Sequence, residues 1–192
     1  MLSLEDRVKA YNEAVKAAAA LVPEISERHP CLIPQLVPLS TVRGNEYNPN
    51  KVAPPEMRLL VHSIRQDGLT MPVVTAPAPE GEGLVVVDGF HRTTVAKQEK
   101  EICESLCGFL PVVSLDKDTP NLMAATVRHN MARGAHVVEL SAKLVTALHK
   151  HTWSDERIGE EIGMDPDEVL RMKQVTGLAA AFADEEFSKA WE

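Results

Sequence analysis

Asp88, His91 and Arg92 fall within the stretch LVVVDGFHRTTVAKQ, Leu84–Gln98, close enough together to act on one ligand. A guanidinium and an imidazole donate hydrogen bonds to phosphate oxygens, and a carboxylate beside them binds a cation or moves a proton. Asp88 and His91 are therefore the candidate catalytic residues, with Asp88 also the candidate metal ligand. The candidate phosphate set is Gly89, His91, Arg92, Thr93 and Thr94. The β-branched run Val85–Val87 reads as a short buried strand and TTVAKQ as the first turns of a helix, so DGFHR sits at a strand-to-helix bend. A helix start carries unbonded amides and the positive end of the macrodipole, which suits an anion. A plainer reading stays open: a capped junction in which Asp88 pairs with Arg92 and His91 is a polar surface residue. DGxHR is short enough to occur by chance.

Two further groups could complete such a site. In RHNMARG, residues 128–134, Asn130 and Arg133 lie three apart on a helix and share a face, as a second phosphate or metal arm requires, with His129 and His136 nearby. The same residues equally make an ordinary helix end, basic and closed by Gly134. In YNPN, Asn48 and Asn50 either contact a base or ribose or simply form an Asn-Pro turn. His149 and His151, two apart on a helix, diverge and do not share a metal.

The elements that position these residues follow in chain order. Leu4, Val8, Tyr11, Val15 and Ala18 have helical spacing, and Ser3 with Asp6 makes a cap, so residues 1–22 predict an amphipathic helix. Prolines at 23, 30, 34 and 38 predict an extended linker, and LVPLSTV a first strand. Met57, Leu60, Val61 and Ile64 mark a helix closed by Gly68. A strand over Met71–Ala76 then joins the Val85–Val87 strand through the turn PAPEGEG as a hairpin. A helix from Arg92 to about Cys107 and a strand LPVVSLD follow, then a helix from Asn121 to Met131 and another in VVELSAKLVTALHKH.

TWSDERIGEEIGMDPDEVLRMKQVTGL has helix-turn-helix spacing: Ser154 caps the first helix, Gly163 makes the turn, and Val169, Met172 and Val175 pack the second. Arg171, Lys173 and Gln174 are the candidate DNA contacts on that second helix. Asp165, Asp167 and Glu168 at its start face phosphate badly, so the module suits protein docking or weak DNA contact. Phe182, Phe187 and Trp191 in the tail could form a short docking helix.

Composition narrows the function classes. The chain has 192 residues, 44% hydrophobic and 25% charged, and a formal charge of -8. That charge argues against non-specific coating of nucleic acid, which needs many Lys and Arg facing phosphate. Cys31, Cys103 and Cys107 form no CxxC pair, so no disulfide framework or zinc site is expected; they read as small buried or half-buried side chains, with Cys103 and Cys107 on one helical face. No leader and no apolar run of about 20 residues is seen, so a cytoplasmic protein with no membrane partner is expected.

The order of these pieces resembles the N-terminal domain of the ParB and sulfiredoxin-like superfamily, followed by a ParB-type helix-turn-helix. The matching stretches are NPN at 48–50, SIRQDG at 63–68, MPVVT at 71–75, VVVDGFHRTTVAK at 85–97, LPVVSLD at 110–116 and RHNMARG at 128–134. In partition proteins of this superfamily a GERR-like bend and a later ENxxR-like segment form a nucleoside triphosphate site with magnesium. DGFHR and HNMAR occupy those places here. Sulfiredoxin-like members carry a cysteine where this chain has Phe90, which excludes sulfinic acid reduction. The DGxHR form is similar to ATP- or ADP-using relatives, among them free serine kinases and the DGQHR proteins of DNA modification, and to stand-alone IbrB-like proteins. Those last are co-activators of prophage gene expression commonly encoded beside a partner resembling phosphoadenosine phosphosulfate reductases.

The expected architecture is α+β: residues 1–35 a helix and Pro-rich linker, 36–120 a ParB N-terminal-like domain with a small mixed sheet and flanking helices, and 121–192 an all-α helix-turn-helix region. The expected function is a regulator of transcription or another DNA-linked process. In it, ATP or CTP with Mg2+ binds between DGFHR and HNMAR and changes how the C-terminal helices meet DNA or a protein partner. A homodimer and a reductase-like partner are candidates. The alternative is an enzyme: a small-molecule kinase, phosphotransferase or NTP hydrolase using the same pocket, with Asp88 or Glu46 as base.

Overall fold

The computed structural model describes residues 2–45, 54–79, 81–131 and 138–181, and the chain divides into two units, Met1–Leu122 and Met123–Glu192. Helix α1 (Leu4–Ala19) starts where Ser3 Oγ accepts the Asp6 amide, as its sequence predicts. The proline segment is less extended than expected. Pro23 opens a short helix α2 (Pro23–Ser26) and Pro30 a 3-10 turn (Pro30–Leu32), because the first helical position needs no N–H.

The single strand expected in LVPLSTV is two strands. β1 (Gln35–Pro38) and β2 (Val42–Arg43) are separated by a 3-10 turn (Leu39–Thr41), and Thr41 Oγ1 donates to the Pro38 carbonyl at 2.8 Å inside it. The turn carries the chain from one edge of the sheet to the other. Helix α3 (Pro54–Asp67), the hairpin β3 (Val73–Pro77) and β4 (Leu84–Asp88), then helices α4 (Phe90–Gln98) and α5 (Lys100–Ser105) and strand β5 (Phe109–Ser114) complete the unit. The sheet is mixed, in the order β1-β5-β3-β4-β2, with β1·β5 and β3·β4 antiparallel and β3·β5 and β2·β4 parallel.

One long helix was expected from Arg92 to Cys107; it begins at Phe90 and breaks at Glu99, whose backbone is extended (φ -88°, ψ 107°) while its carboxylate accepts Arg65 Nη2 at 2.9 Å. Cys107 lies past the end of α5 with φ 51°, so it does not share a helical face with Cys103. Cys107 and Cys31 are exposed, not buried.

Register decides which residues meet. Val73 pairs with Val112 and Thr75 with Val86, so Val73, Val86 and Val112 share one face of the sheet and pack with Val42, Ile64, Val95, Ala96, Ile102 and Leu110. Leu110 is fully buried, and truncating it to Ala costs about 2–5 kcal/mol. Ala76 pairs with Val85 on the opposite face. At the sheet edge, Asn12 of α1 donates from Nδ2 to the Leu36 carbonyl at 2.9 Å and accepts the Leu36 amide on Oδ1 at 2.8 Å.

Helix α6 (Thr119–Met131) leads into the second unit, which holds α7 (Val138–Lys150), α8 (Asp155–Ile162) and α9 (Pro166–Ala181). Leu144, Val145, Leu148, Ile158, Ile162 and Val169 are buried there. α8 and α9 make the helix-turn-helix. Ser154 Oγ accepts the Arg157 amide, Gly163 ends α8 in the left-handed region, and Asp165 and Glu168 exchange side-chain-to-amide bonds at 2.8 and 2.9 Å to start α9. The expected Gly134 cap and the tail with Phe182, Phe187 and Trp191 lie outside the described residues. Among the described residues no helix is long and apolar enough to cross a membrane.

Candidate functional site

The bend DGFHR is built by glycine. Gly89 takes φ 98°, ψ 26°, and a Cβ added there would lie 2.9 Å from the Arg92 guanidinium. β4 therefore ends in Asp88 and α4 begins at once. Asp88 is 8% exposed, and its Oδ2 lies 3.5 Å from Arg92 Nη2. Arg92 Nη1 donates to the carbonyls of Met71 at 2.8 Å and Pro72 at 3.0 Å, which tethers the bend to the residues entering β3. The pairing of Asp88 with Arg92 that the plainer reading anticipates is thus present. A buried pair is costly to desolvate and yet more costly to break, because either partner left alone is an uncompensated buried charge.

The remaining residues of the bend are also engaged. Thr93 and Thr94 hydroxyls donate to the carbonyls one turn back, those of Gly89 at 3.1 Å and Phe90 at 3.0 Å. Thr93 is buried, so its role is to hold the turn. His91 stands edge-on to the Phe90 ring, centroids 5.5 Å apart, and burial pulls its pKa below the ordinary 6.5. Burial therefore favours its neutral imidazole form, which gives one hydrogen bond but no charge. The N-cap residue of α4 is Gly89, which has no side chain to cap the first turn. A macrodipole end held beside a half-buried guanidinium, with glycine at the N-cap, is chemically suited to a small anion.

Sequence reasoning missed the part of the site that Phe90 organises. A Cβ on Gly44 would fall 2.6 Å from the Phe90 ring, so the ring lies close against the backbone that follows β2. The next residue, Asn45, donates from Nδ2 to the Val86 carbonyl at 2.6 Å, and Lys97 Nζ donates to the Val42 carbonyl at 2.5 Å. The signal available was the GN pair directly after a strand, which reads as a loop and nothing more.

Of the other candidates, Asn48, Asn50, Glu46, Arg133 and His136 lie outside the described residues, and Asn130 lies on α6 in the second unit. Among the described residues no three His, Cys, Asp or Glu side chains cluster as a metal site. His149 instead pairs with Asp155 at the start of α8. Lys173 also binds Asp155, at 3.0 and 2.9 Å to its two oxygens, and that bond, first among the causes, holds the Asp155 carboxyl below its usual range. Lys173 is therefore partly neutralised, whereas Arg171 and Gln174 are exposed, three apart on α9. Arg157 lies over the buried Trp153 ring at 3.9 Å and is a packing residue.

Residues 136–184 match the family model of the IbrB-like C-terminal HTH domain. Over 187 residues the chain is 42% identical to the uncharacterized protein YbdM of Escherichia coli (strain K12), covering 97% of this chain and 88% of that one. Among solved structures, the Pnob8-like ParB-N domain superposes with a TM-score of 0.54 at 11% identity, covering 79% of this chain and 73% of that one. The C-terminally truncated chromosome-partitioning protein ParB from Caulobacter crescentus, complexed to the centromeric parS site, has a TM-score of 0.49 at 16% identity, covering 77% of this chain and 78% of that one. The fold is that of the ParB N-terminal domain with a helix-turn-helix after it, as expected.

Proposed function

We propose that this chain, which belongs to the family of YbdM and carries an IbrB-like C-terminal helix-turn-helix on a ParB-like fold, is a nucleotide-responsive regulator of a DNA-linked process. The observation that carries the reading is the start of α4, where the N-cap is a glycine and the half-buried Arg92 and buried Asp88 stand at the same bend. Phosphate oxygens of ATP or CTP would accept from the first-turn amides and from the Arg92 fork. Magnesium held mainly by a ligand's phosphates needs only one or two protein carboxylates, and Asp88 supplies one. Asn130 and Arg133, with Asn48 and Asn50, are the residues that the family resemblance adds to this set.

The output would pass through the helix-turn-helix. Arg171 and Gln174 are exposed on α9 and suited to meet DNA, whereas Lys173 is held by Asp155 and the acidic first turn repels phosphate. Weak, partner-assisted DNA contact fits this balance better than tight stand-alone binding. Transfer of phosphate to a small hydroxyl compound, with Asp88 as base, is the enzymatic alternative.

Thermal melting with Mg2+ and each of ATP, CTP, GTP and their diphosphates tests the site. Stabilisation by one nucleotide, retained at lower affinity by Arg92→Lys and lost by Arg92→Gln, is the expected outcome. Rapid phosphate transfer to serine or a similar acceptor would replace the regulator with the kinase, and no response to any nucleotide would leave the bend as a purely structural junction.

A further inference from the structure

The second face of the sheet holds a cavity that nothing above uses. Its volume is about 260 Å³, and its walls include Ala76, Val85, Val87 and Leu122, with Arg43, Asn45 and Thr119 as polar lining. It contains none of the residues of DGFHR, although Val87 directly precedes Asp88. An engineered apolar cavity of about 150 Å³ holds a benzene, so this one has room for a substituted ring or a fused pair.

Asn45 gives the cavity its chemistry. Its Nδ2 donates to the Val86 carbonyl at 2.6 Å, which only the amide nitrogen can do, so the other atom is Oδ1, an acceptor. That Oδ1 is buried and has no hydrogen-bond partner. Buried acceptors in native proteins are almost always satisfied.

We propose that this cavity binds a small molecule with a flat apolar body and an N–H edge, of the class of nitrogen heterocycles and aromatic primary amides, with Asn45 Oδ1 as its acceptor. The N–H edge satisfies the orphaned oxygen, and the ring lies against Ala76, Val85 and Val87. Occupancy would also hold the 43–45 segment against the sheet, and through Gly44 it would buttress Phe90, the first residue of α4.

The proposal stands apart from the phosphate site, and each can fail without the other. Adenine, cytosine and nicotinamide, all free of phosphate, are titrated by calorimetry and thermal melting into the wild type, Asn45→Ala and Val85→Phe, with inorganic tripolyphosphate and Mg2+ in parallel. One heterocycle is expected to bind the wild type, to lose about tenfold in affinity with Asn45→Ala, the cost of one hydrogen bond, and to lose binding altogether when Val85→Phe fills the cavity. Tripolyphosphate binding, where present, is expected to be unchanged by Asn45→Ala. The idea is overturned if none of the three binds the wild type, or if binding survives Asn45→Ala undiminished. The second criterion decides the matter even if Val85→Phe does not fold.

Discussion

Helices α4 and α8 both begin at the end of a short non-helical segment, and they begin in opposite ways. α8 closes its first turn with its own side chain, Ser154, and α9 after it does so twice over through Asp165 and Glu168. α4 starts on a left-handed glycine with no side-chain cap, and the nearest carboxylate, Asp88, lies beside Arg92. The helix-turn-helix start is thus finished by its own sequence. The start of α4 is held in place by a part-buried ion pair and has a glycine at its anion-attracting end. The same chain therefore has one junction built for stability and one built around polar groups that are expensive to bury.

The comparison breaks first at Arg92. Arg92→Ala removes the cation 3.5 Å from the buried Asp88 carboxylate and the donor to the Met71 and Pro72 carbonyls, and should destabilise the fold by about 3–5 kcal/mol in urea titration. A loss below about 1 kcal/mol would mean that the pair is not structural. Gly89→Ala comes next, at about 1–3 kcal/mol, since any side chain is strained at φ 98° and its Cβ would press on the guanidinium. Ser154→Ala should cost about 1 kcal/mol, and hydrogen exchange should rise in the first turn of α8 while α4 is unaffected.

The smallest effect separates the two junctions by pH. His91 has a folded pKa below its ordinary 6.5, so the unfolded chain takes up the proton first, and the stability this gives is present above pH 6.5 and lost as pH falls below it. Asp155, lowered by Lys173, gives stability that is present above about pH 3.8 and lost as pH falls further toward its folded pKa. Unfolding free energy followed from pH 8 to pH 3 should therefore decline in two steps. His91→Gln should remove the upper step and Asp155→Asn the lower.

Much of this was legible in the residues. Ser3, Ser154 and Gly163 announced their helix boundaries, and PAPEGEG announced the hairpin, because caps and turns are written locally. The pairing of Asp88 with Arg92 was the plainer of the two readings that the sequence left open. What could not be read depended on partners far away in sequence. LVPLSTV looks like one strand, yet its halves pair with β5 and β4 at opposite edges, and nothing local specifies that. Glu99 breaks a good helical pattern while bonded to Arg65, thirty-four positions away. Phe90 and Asn45 meet the site through Gly44 and Val86, contacts made only once the sheet exists.

The two bonds from Asn12 to Leu36 have a consequence for the company the protein keeps. β1 is an outer strand of the sheet, and an outer strand offers its bare peptide groups to any extended chain that drifts past. A carboxamide presents the same donor and acceptor, at nearly the same spacing, as one peptide of a neighbouring strand. Asn12 thus acts as a strand one residue long, delivered by a helix, and the peptide of Leu36 is already taken when a stray chain arrives.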